Sequence, residues 1–208
     1  MAKKQMAMLF DLDKCIYCRS CVFACKLENH IPKEWQRNDV VMVGPDMDKD
    51  PVGFAMYMNC NHCEQPACIA SCPVPGKAIH KREADGLVLV DKEKCIGCWA
   101  CVKGCPYGVP RPTNVKNSKG DFVVDKCTFC AHKSERPARI EWGERADNAG
   151  AQWAPACSSK CPGRVMTFGD REELLKQVAA SGREVLDINF FGINPSNIYL
   201  KPLARKKT

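Results

Sequence analysis

Sixteen cysteines form four groups of four, and their spacing is the feature of this sequence that could carry chemistry. The first and third groups both read Cys-x2-Cys-x2-Cys-x3-Cys, which is the ligand run of bacterial [4Fe–4S] ferredoxins. Four groups supply the sixteen thiolates that four cubane clusters require. We therefore predict four [4Fe–4S] clusters and the transfer of single electrons. The groups are Cys15, Cys18, Cys21 and Cys25; Cys60, Cys63, Cys68 and Cys72; Cys95, Cys98, Cys101 and Cys105; and Cys127, Cys130, Cys157 and Cys161.

The spacing within a group also predicts how the groups are used. Three cysteines placed three residues apart can wrap a loop around one cluster, with backbone N–H groups turned toward the sulfur atoms. The fourth cysteine lies on the helix that follows and, in two-cluster ferredoxins, ligates the other cluster. Groups must therefore act in pairs, and four groups make two pairs.

Disulfides and structural zinc are the other common uses of clustered cysteines. Four cysteines between Cys15 and Cys25 are too crowded for a disulfide framework. Structural zinc usually takes two Cys-x2-Cys pairs separated by a longer stretch. The second group, or the pair Cys127 and Cys130 taken alone, has that appearance, but the two ferredoxin runs do not. Cluster ligation is therefore the favoured interpretation.

Length and charge agree with this interpretation. The 208 residues are enough for one or two small domains. The formal charge of +7 counts every cysteine as neutral. A [4Fe–4S]²⁺ core with four thiolates carries about −2, so four of them bring the total to about −1. The basic excess is thus mostly an internal counter-charge, and we do not predict nucleic-acid binding.

No motif in the sequence points to a catalytic role. There is no Gly-x-Gly-x-x-Gly after a strand, no Walker loop and no local Ser/His/Asp set, so no catalytic residue is predicted. His62 and His132 lie near ligands, and packing or surface roles explain them more simply than tuning of a cluster. Lys103 and Lys126 lie near ligand cysteines and could raise cluster potentials, but charge compensation alone explains both lysines.

The sequence contains no candidate membrane span. No stretch approaches the roughly 20 apolar residues that a transmembrane helix needs. The segment Met1–Phe10 has neither the apolar region of a signal peptide nor a twin arginine. We expect a cytoplasmic location, or export of the folded chain on the signal of a partner.

The elements that position the cysteines follow a repeat. A first strand is predicted over Met6–Phe10, which leads into Asp-Leu-Asp-Lys-Cys15-Ile-Tyr-Cys18. The third group begins similarly, with Asp-Lys-Glu-Lys-Cys95-Ile-Gly-Cys98. Each ligand loop is therefore expected to start from a strand or turn of the same kind.

Further strands are predicted outside the ligand loops. Segments 78–82 and 87–90 flank a turn at Asp85-Gly86, which is a hairpin signal. The segment Val40–Val43 is also strand-like. Five methionines alternate at strand spacing and are expected in the core, namely Met6, Met8, Met42, Met56 and Met58.

Strand, ligand loop, short helix and hairpin together make a ferredoxin unit. The predicted fold class is α+β, with two interleaved bacterial-type 2[4Fe–4S] ferredoxin-like units and loop insertions. Residues 57–112 hold the inner unit, with groups two and three. Residues 1–56 and 113–169 hold the outer unit, with groups one and four. Residues 170–208 form a C-terminal helix and an extended tail.

The C-terminal segment has its own signals. Asp170 is a plausible N-cap of a helix that ends before Ser181-Gly182. The segment 189–200 is too apolar for a free tail, and it either folds back on its own core or lies on a partner. The apolar stripe of the helix consists of Leu174, Leu175, Val178 and Ala179.

Several of these features resemble the iron–sulfur subunits of the dimethyl sulfoxide reductase family of molybdopterin oxidoreductases. The resemblance covers most of residues 6–170. It rests on the order of the four groups, on Cys60-Asn-His-Cys63-Glu-Gln-Pro-Ala-Cys68, on Cys105-Pro-Tyr-Gly and on the split fourth group. By analogy, the residues between the two halves of the fourth group form a flap that faces a partner.

The resemblance implies that group one pairs with group four and group two with group three. Because the third cysteine of the third group is present, as Cys101, we expect no [3Fe–4S] cluster, and we expect Trp99 to pack beside that cysteine. The implied ligand sets are Cys15, Cys18, Cys21 and Cys161 for cluster A; Cys127, Cys130, Cys157 and Cys25 for cluster B; Cys60, Cys63, Cys68 and Cys105 for cluster C; and Cys95, Cys98, Cys101 and Cys72 for cluster D.

The resemblance also implies partners. It predicts a subunit that transfers electrons between a molybdenum- or tungsten-pterin catalytic subunit and a quinone-linked membrane subunit or soluble acceptor. The alternative is a polyferredoxin-like subunit of a hydrogenase, formate hydrogenlyase or tungsten aldehyde oxidoreductase complex. A third class, a structural protein with metal sites, has no use for sixteen irons.

Overall fold

The computed structural model describes residues 4–44, 53–135 and 153–203, in which short strands alternate with short helices. The strands are β1 (Met6–Asp11), β2 (Asp39–Val43), β3 (Phe54–Met58), β4 (Ile79–Lys81), β5 (Val88–Val90), β6 (Arg111–Lys116), β7 (Phe122–Asp125), β8 (Met166–Asp170) and β9 (Ile198–Leu200). The helices are α1 (Ser20–Glu28), α2 (Ala67–Ala70), α3 (Ala100–Gly104), α4 (Ala156–Ser159) and α5 (Arg171–Ser181), with 3₁₀ turns at Leu12–Lys14 and Ala131–Glu135. The mixture of helices and small sheets is the one that the sequence predicts.

The strand predicted at the start of the chain is the centre of the largest sheet. The strand order is β8-β1-β9, with β8 antiparallel to β1 and β9 parallel to it. Side chains alternate across a strand, so Met6, Met8 and Phe10 enter the main core while Ala7 packs with residues of α5. Both faces of β1 are therefore buried.

Three two-stranded sheets accompany this sheet in the described residues. The pairs β2–β3, β4–β5 and β6–β7 are each antiparallel. The predicted turn between β4 and β5 is present, where the Asp85 carboxylate accepts a hydrogen bond from the Leu87 backbone N–H at 3.2 Å. The backbone N–H of Met6 donates to the Asp85 carbonyl oxygen at 2.8 Å, so this hairpin is joined to the start of β1.

The predicted C-terminal helix is also present. The Asp170 carboxylate accepts a hydrogen bond from the Glu172 backbone N–H at 2.9 Å, and Gly182 ends the helix with φ of 64°. Leu174 and Val178 are buried against the sheet. Ala179 is exposed, so the stripe is narrower than predicted.

The apolar tail folds back on the core through its last strand. Ile198 and Tyr199 are buried, and the Tyr199 ring stacks on Phe10 with centroids 4.6 Å apart. Phe190 and Phe191 are 75% and 54% exposed. The prediction that the tail folds back on its own core is therefore confirmed for its last strand, whereas its middle stays on the surface.

The core prediction is wrong for Met42 and only partly right for two other methionines. Met42 is 52% exposed, although Val40 on the same face of β2 is buried. Met56 and Met58 are half-buried, and sequence alternation alone does not show where a core ends. Most of the predicted flap lies outside the described residues.

In the segments that the structure describes, no helix has the length and apolar composition that a membrane span requires.

Candidate iron–sulfur cluster sites

The helices that carry ligand cysteines pack in two pairs. Helix α1 packs against α4, and α2 packs against α3. Cys21 and Cys25 lie on α1 and Cys157 lies on α4, whereas Cys68 lies on α2 and Cys101 on α3. The helices thus bring group one to group four and group two to group three.

Three of the predicted ligand sets each surround a cavity. Trp99 lines the same cavity as Cys101, as predicted. Within the described ranges, no three His, Cys, Asp or Glu side chains converge on a point as one metal ion requires. The thiols instead surround spaces, lined by Cys15, Cys18, Cys21 and Cys161; by Cys60, Cys63, Cys68 and Cys105; and by Cys72, Cys95, Cys98 and Cys101.

The fourth set lies deepest. Burial raises the pKa of the Cys157 thiol well above its usual value, and the nearby Cys127, Cys130 and Cys25 raise it further. The Asn29 Nδ2 atom lies 3.7 Å from the Cys25 Sγ atom and 3.8 Å from the Cys130 Sγ atom. One cysteine of group one therefore stands among three cysteines of group four.

The ligand loops turn through left-handed residues that are not all glycine. Tyr17 and Arg19 in the first group have φ of 57° and 58°. At the corresponding positions of the third group, Gly97 has φ of 66° and Trp99 has φ of 57°. This conformation costs an L-residue energy, and it turns backbone N–H groups inward, which makes the concave anion sites typical of iron–sulfur loops.

Donors approach individual thiols from the backbone and from side chains. The Phe129 backbone N–H lies 3.4 Å from the Cys127 Sγ atom, and the His62 backbone N–H lies 3.5 Å from the Cys60 Sγ atom. The Asn59 Nδ2 atom lies 3.6 Å from the Cys127 Sγ atom. These N–H groups stabilise negative charge on sulfur, which is the form that a metal binds.

Several of the thiols are hard to ionise in the absence of a cation. Burial raises the pKa of Cys21, Cys63 and Cys68 to about 12, and that of Cys101 and Cys127 to about 11. Neighbouring cysteines add to this effect at Cys21, Cys63 and Cys101, because thiolates repel one another. A ferric and ferrous core supplies the missing positive charge, so these sites fit [4Fe–4S] clusters.

Sequence reasoning missed the polar residues packed between the sites. The buried Arg37 guanidinium pairs with the Asp125 carboxylate at 2.8 Å and donates to the Asn29 side-chain oxygen at 2.6 Å. The Asn197 Nδ2 atom donates to the Asn59 side-chain oxygen at 2.8 Å. Such residues are usually exposed, and no spacing signal distinguishes the buried ones.

The two histidines near ligands have the simple roles expected for them. His62 is fully buried, and its Nδ1 atom accepts a hydrogen bond from the Val88 backbone N–H at 2.9 Å. The His132 Nε2 atom lies 2.7 Å from a Glu28 carboxylate oxygen near the surface. These contacts place neither imidazole ring against a thiol.

Four sets of four thiols, held by paired short helices and inward-turned loops, define an electron-transfer protein of the ferredoxin type. A family model described as a 4Fe-4S dicluster domain matches residues 53–142. Known relatives extend this match over most of the chain.

The chain is 34% identical to the thiosulfate reductase electron transfer subunit of Salmonella typhi over 171 residues, which are 81% of this chain and 78% of that relative. It is 34% identical to one of the chains of the anaerobic dimethyl sulfoxide reductase of Escherichia coli over 181 residues, 83% of this chain and 77% of that protein. A tetrathionate reductase subunit of Salmonella typhimurium is 34% identical over 85% of this chain, which spans 62% of the length of that relative.

This protein belongs to the family of iron–sulfur electron-transfer subunits of the molybdopterin oxidoreductases, the dimethyl sulfoxide reductase type. It carries four [4Fe–4S] clusters, as the cysteine groups predict. The polyferredoxin alternative is not supported by these relatives.

Proposed function

We propose that this protein relays single electrons between a molybdenum- or tungsten-pterin catalytic subunit and a quinone-linked membrane subunit or a soluble acceptor. The observation that carries the proposal is the arrangement of the thiols in four neighbouring sets. The names of the relatives, which are subunits of thiosulfate, tetrathionate and dimethyl sulfoxide reductases, support a pterin-bearing partner.

The ligand sets that we propose are those implied by the family resemblance. Helix pairing and the three cavities support clusters A, C and D. The contacts around Cys157 and Asn29 support cluster B. The same pairing supports two interleaved ferredoxin-like units, with the inner unit in residues 57–112.

The contacts between sets support the order A–B–C–D. Cys21 of set A and Cys25 of set B share helix α1. Sets B and C are adjacent, because Cys60 lies close enough to Cys127 to raise the pKa of its thiol, and Asn59, the residue before Cys60, contacts the Cys127 Sγ atom. Sets C and D are joined through Cys68, whose thiol pKa is raised by a cysteine on α3.

The two outer sets reach the surface. Cys18 of set A and Cys98 of set D are exposed, whereas every cysteine of set B is buried. Apolar side chains stand beside each exposed thiol, with Ile16 70% exposed at one end and Ile96 53% exposed at the other. Electrons are proposed to enter and leave the protein at these two ends.

When bound, each cluster supplies a one-electron redox couple whose potential depends on its surroundings. The residues of this protein set those surroundings. Thiols of one set hold each cluster, N–H donors such as those of Phe129 and Asn59 offset its negative charge, and the apolar core excludes water from the inner sets. The polypeptide itself breaks no bond in a substrate.

The test is anaerobic purification of the native complex with iron, molybdenum and tungsten counted per copy of this protein. We expect more than sixteen irons together with about one molybdenum or tungsten, since a pterin-bearing partner of this type adds its own metal. Iron near sixteen with neither heavy metal would contradict the proposed partner and leave the cluster assignment intact. Iron well below sixteen would contradict the cluster assignment itself.

A further inference from the structure

Lys126 carries the most deeply buried ammonium group among the described residues. Its side chain is 0% exposed, and its Nζ atom donates hydrogen bonds to the backbone carbonyl oxygens of Val88 and, at 3.1 Å, Cys127. None of the ion pairs formed within the described ranges includes Lys126. A buried charge without a counter-charge is costly, so the position needs an explanation.

The nearest carboxylate in sequence does not provide the counter-charge. One oxygen of Asp125 pairs with the Arg37 guanidinium at 2.8 Å and with the Lys92 ammonium at 3.3 Å. The other oxygen accepts a hydrogen bond from the backbone N–H of Lys126, at 2.7 Å, and not from its ammonium. Asp125 is therefore already neutralised by other cations.

The ammonium stands instead between two thiol sets. Lys126 lines the cavity formed by the cysteines of set C, and the next residue, Cys127, belongs to set B. Its charge reaches both sets, since burial raises the pKa of Cys68 and Cys127 while the lysine acts to lower each of them. This position is the junction between the two halves of the proposed relay.

We propose that the Lys126 ammonium is the built-in counter-charge shared by sets B and C, and that it raises the reduction potentials of both inner clusters. Reduction adds one negative charge to each site, and a fixed positive charge nearby in a low-dielectric interior stabilises the reduced form. The two inner clusters are those of the proposed ligand sets, on which this inference rests.

The experiment is potentiometric titration of the anaerobically purified complex, followed by electron paramagnetic resonance of the reduced clusters. Lys126→Met and Lys126→Gln remove the charge, Lys126→Arg keeps it, and Lys103→Met removes an exposed charge from helix α3 as the matched control. In both neutral variants we expect the one-electron reduction constants of two clusters to fall at least about tenfold, which is ~59 mV each. Lys126→Arg should stay within about threefold of the parent, and Lys103→Met should leave all four clusters unchanged because its charge is screened by water.

The outcomes separate this inference from the proposed function. Parent protein without sixteen irons or without four reducible clusters would contradict the ligand sets. Four clusters with unchanged potentials in the two neutral variants would overturn the role of Lys126 alone. If the neutral variants lose iron while Lys126→Arg keeps it, the positive charge is required as proposed. Equal loss of iron in all three variants would mean that Lys126 acts through its shape, and would also overturn the inference.

Discussion

The surroundings of many of the buried thiols oppose their ionisation until metal binds. Burial raises the pKa of Cys25 and Cys21 alike, and neighbouring cysteines raise both further. These two residues lie four positions apart on one helix, yet their neighbours differ. Cys21 stands with Cys15 and Cys161, whereas Cys25 stands with Cys127 and Cys130. Sequence adjacency is therefore a poor guide to which thiols are neighbours in the fold.

Replacement of Cys25 tests this crossing directly. In Cys25→Ser we expect damage to the cluster held by Cys127, Cys130 and Cys157, while the cluster held by the rest of the first group persists. The reason is that Cys25 stands among the group-four thiols. Iron content and the spin-resonance signals of the remaining clusters give the measurement.

Cys101→Ser is the companion variant. It should perturb one cluster only, that of the third group, because Cys101 lies with Cys95, Cys98 and Cys72. If Cys25→Ser instead removed the cluster of the first three cysteines and spared that of group four, the crossing of ligands between groups would be wrong.

The ligand loops of the first and third groups place different residue types at the same position of the backbone. Gly97 occupies in the third group the place of Tyr17 in the first. A β-carbon at Gly97 would lie 2.5 Å from the Phe122 carbonyl oxygen, so only glycine fits beside β7. Gly108 has a similar φ of 61°, but nothing lies within 4 Å of the position of its β-carbon.

The pair Gly97→Ala and Gly108→Ala separates overlap from backbone strain. In both variants the free energy of unfolding should fall by about 1–2 kcal/mol, because alanine is strained at positive φ. In Gly97→Ala the free energy of unfolding should fall by a further ~1–3 kcal/mol, because the new methyl group overlaps β7. This variant should also release iron from set D more readily. Denaturant unfolding and the rate of iron loss to a chelator measure the difference. Equal behaviour of the two variants would show that the close contact is without effect.

Helix α5 is stabilised in part by its own N-cap residue, Asp170. In Asp170→Ala we expect the stability of helix α5 to fall by about 1 kcal/mol, because the Glu172 backbone N–H loses its acceptor. The amides of α5 should then exchange with solvent about fivefold faster, as measured by native-state hydrogen exchange. Gln177→Ala, on the exposed side of the same helix, is the control and should change exchange little. A larger effect at Gln177 than at Asp170 would contradict the capping role.

The elements predicted correctly are those specified by neighbours in sequence. The cap at Asp170, the turn at Asp85-Gly86 and the spacing of the cysteines are all local signals. The exposure of Met42 and Phe190 depends on where the core ends, which no local pattern records. Likewise, Lys126 and Lys103 look alike in the sequence, and only the packing of β7 and the hairpin β4–β5 places one of them between two sites.

At the scale of the whole molecule, the interior has two kinds of core. The main core includes cysteines from three of the four groups, so its packing depends on what those thiols hold. A second, smaller core contains no cysteine and consists of Ala7, Leu174, Val178, Ile198 and Leu200. It joins α5 to the central sheet by apolar burial, which does not require metal.

Removal of iron should therefore unfold the molecule unevenly. After oxidative removal of the clusters under chelator, we expect amides of α1 and α4 to lose protection, since their packing surrounds Cys25 and Cys157. Amides of α5 and β1 should retain more of theirs. Hydrogen exchange followed by mass spectrometry, with the iron-loaded protein as control, measures both. Simultaneous loss everywhere would show that the clusters hold the entire fold.

The position of β1 between β8 and β9 also determines when this strand can pair during synthesis of the protein. The ribosome makes β1 before both of its neighbours, which are completed only at Asp170 and Leu200. At about 5–20 residues per second, the apolar strand waits roughly 10 to 40 seconds for them. Residues 60–105, by contrast, emerge together with every cysteine of groups two and three. We therefore expect the middle of the chain to be able to assemble its cluster sites first, while β1 stays unpaired until β8 and β9 have been made.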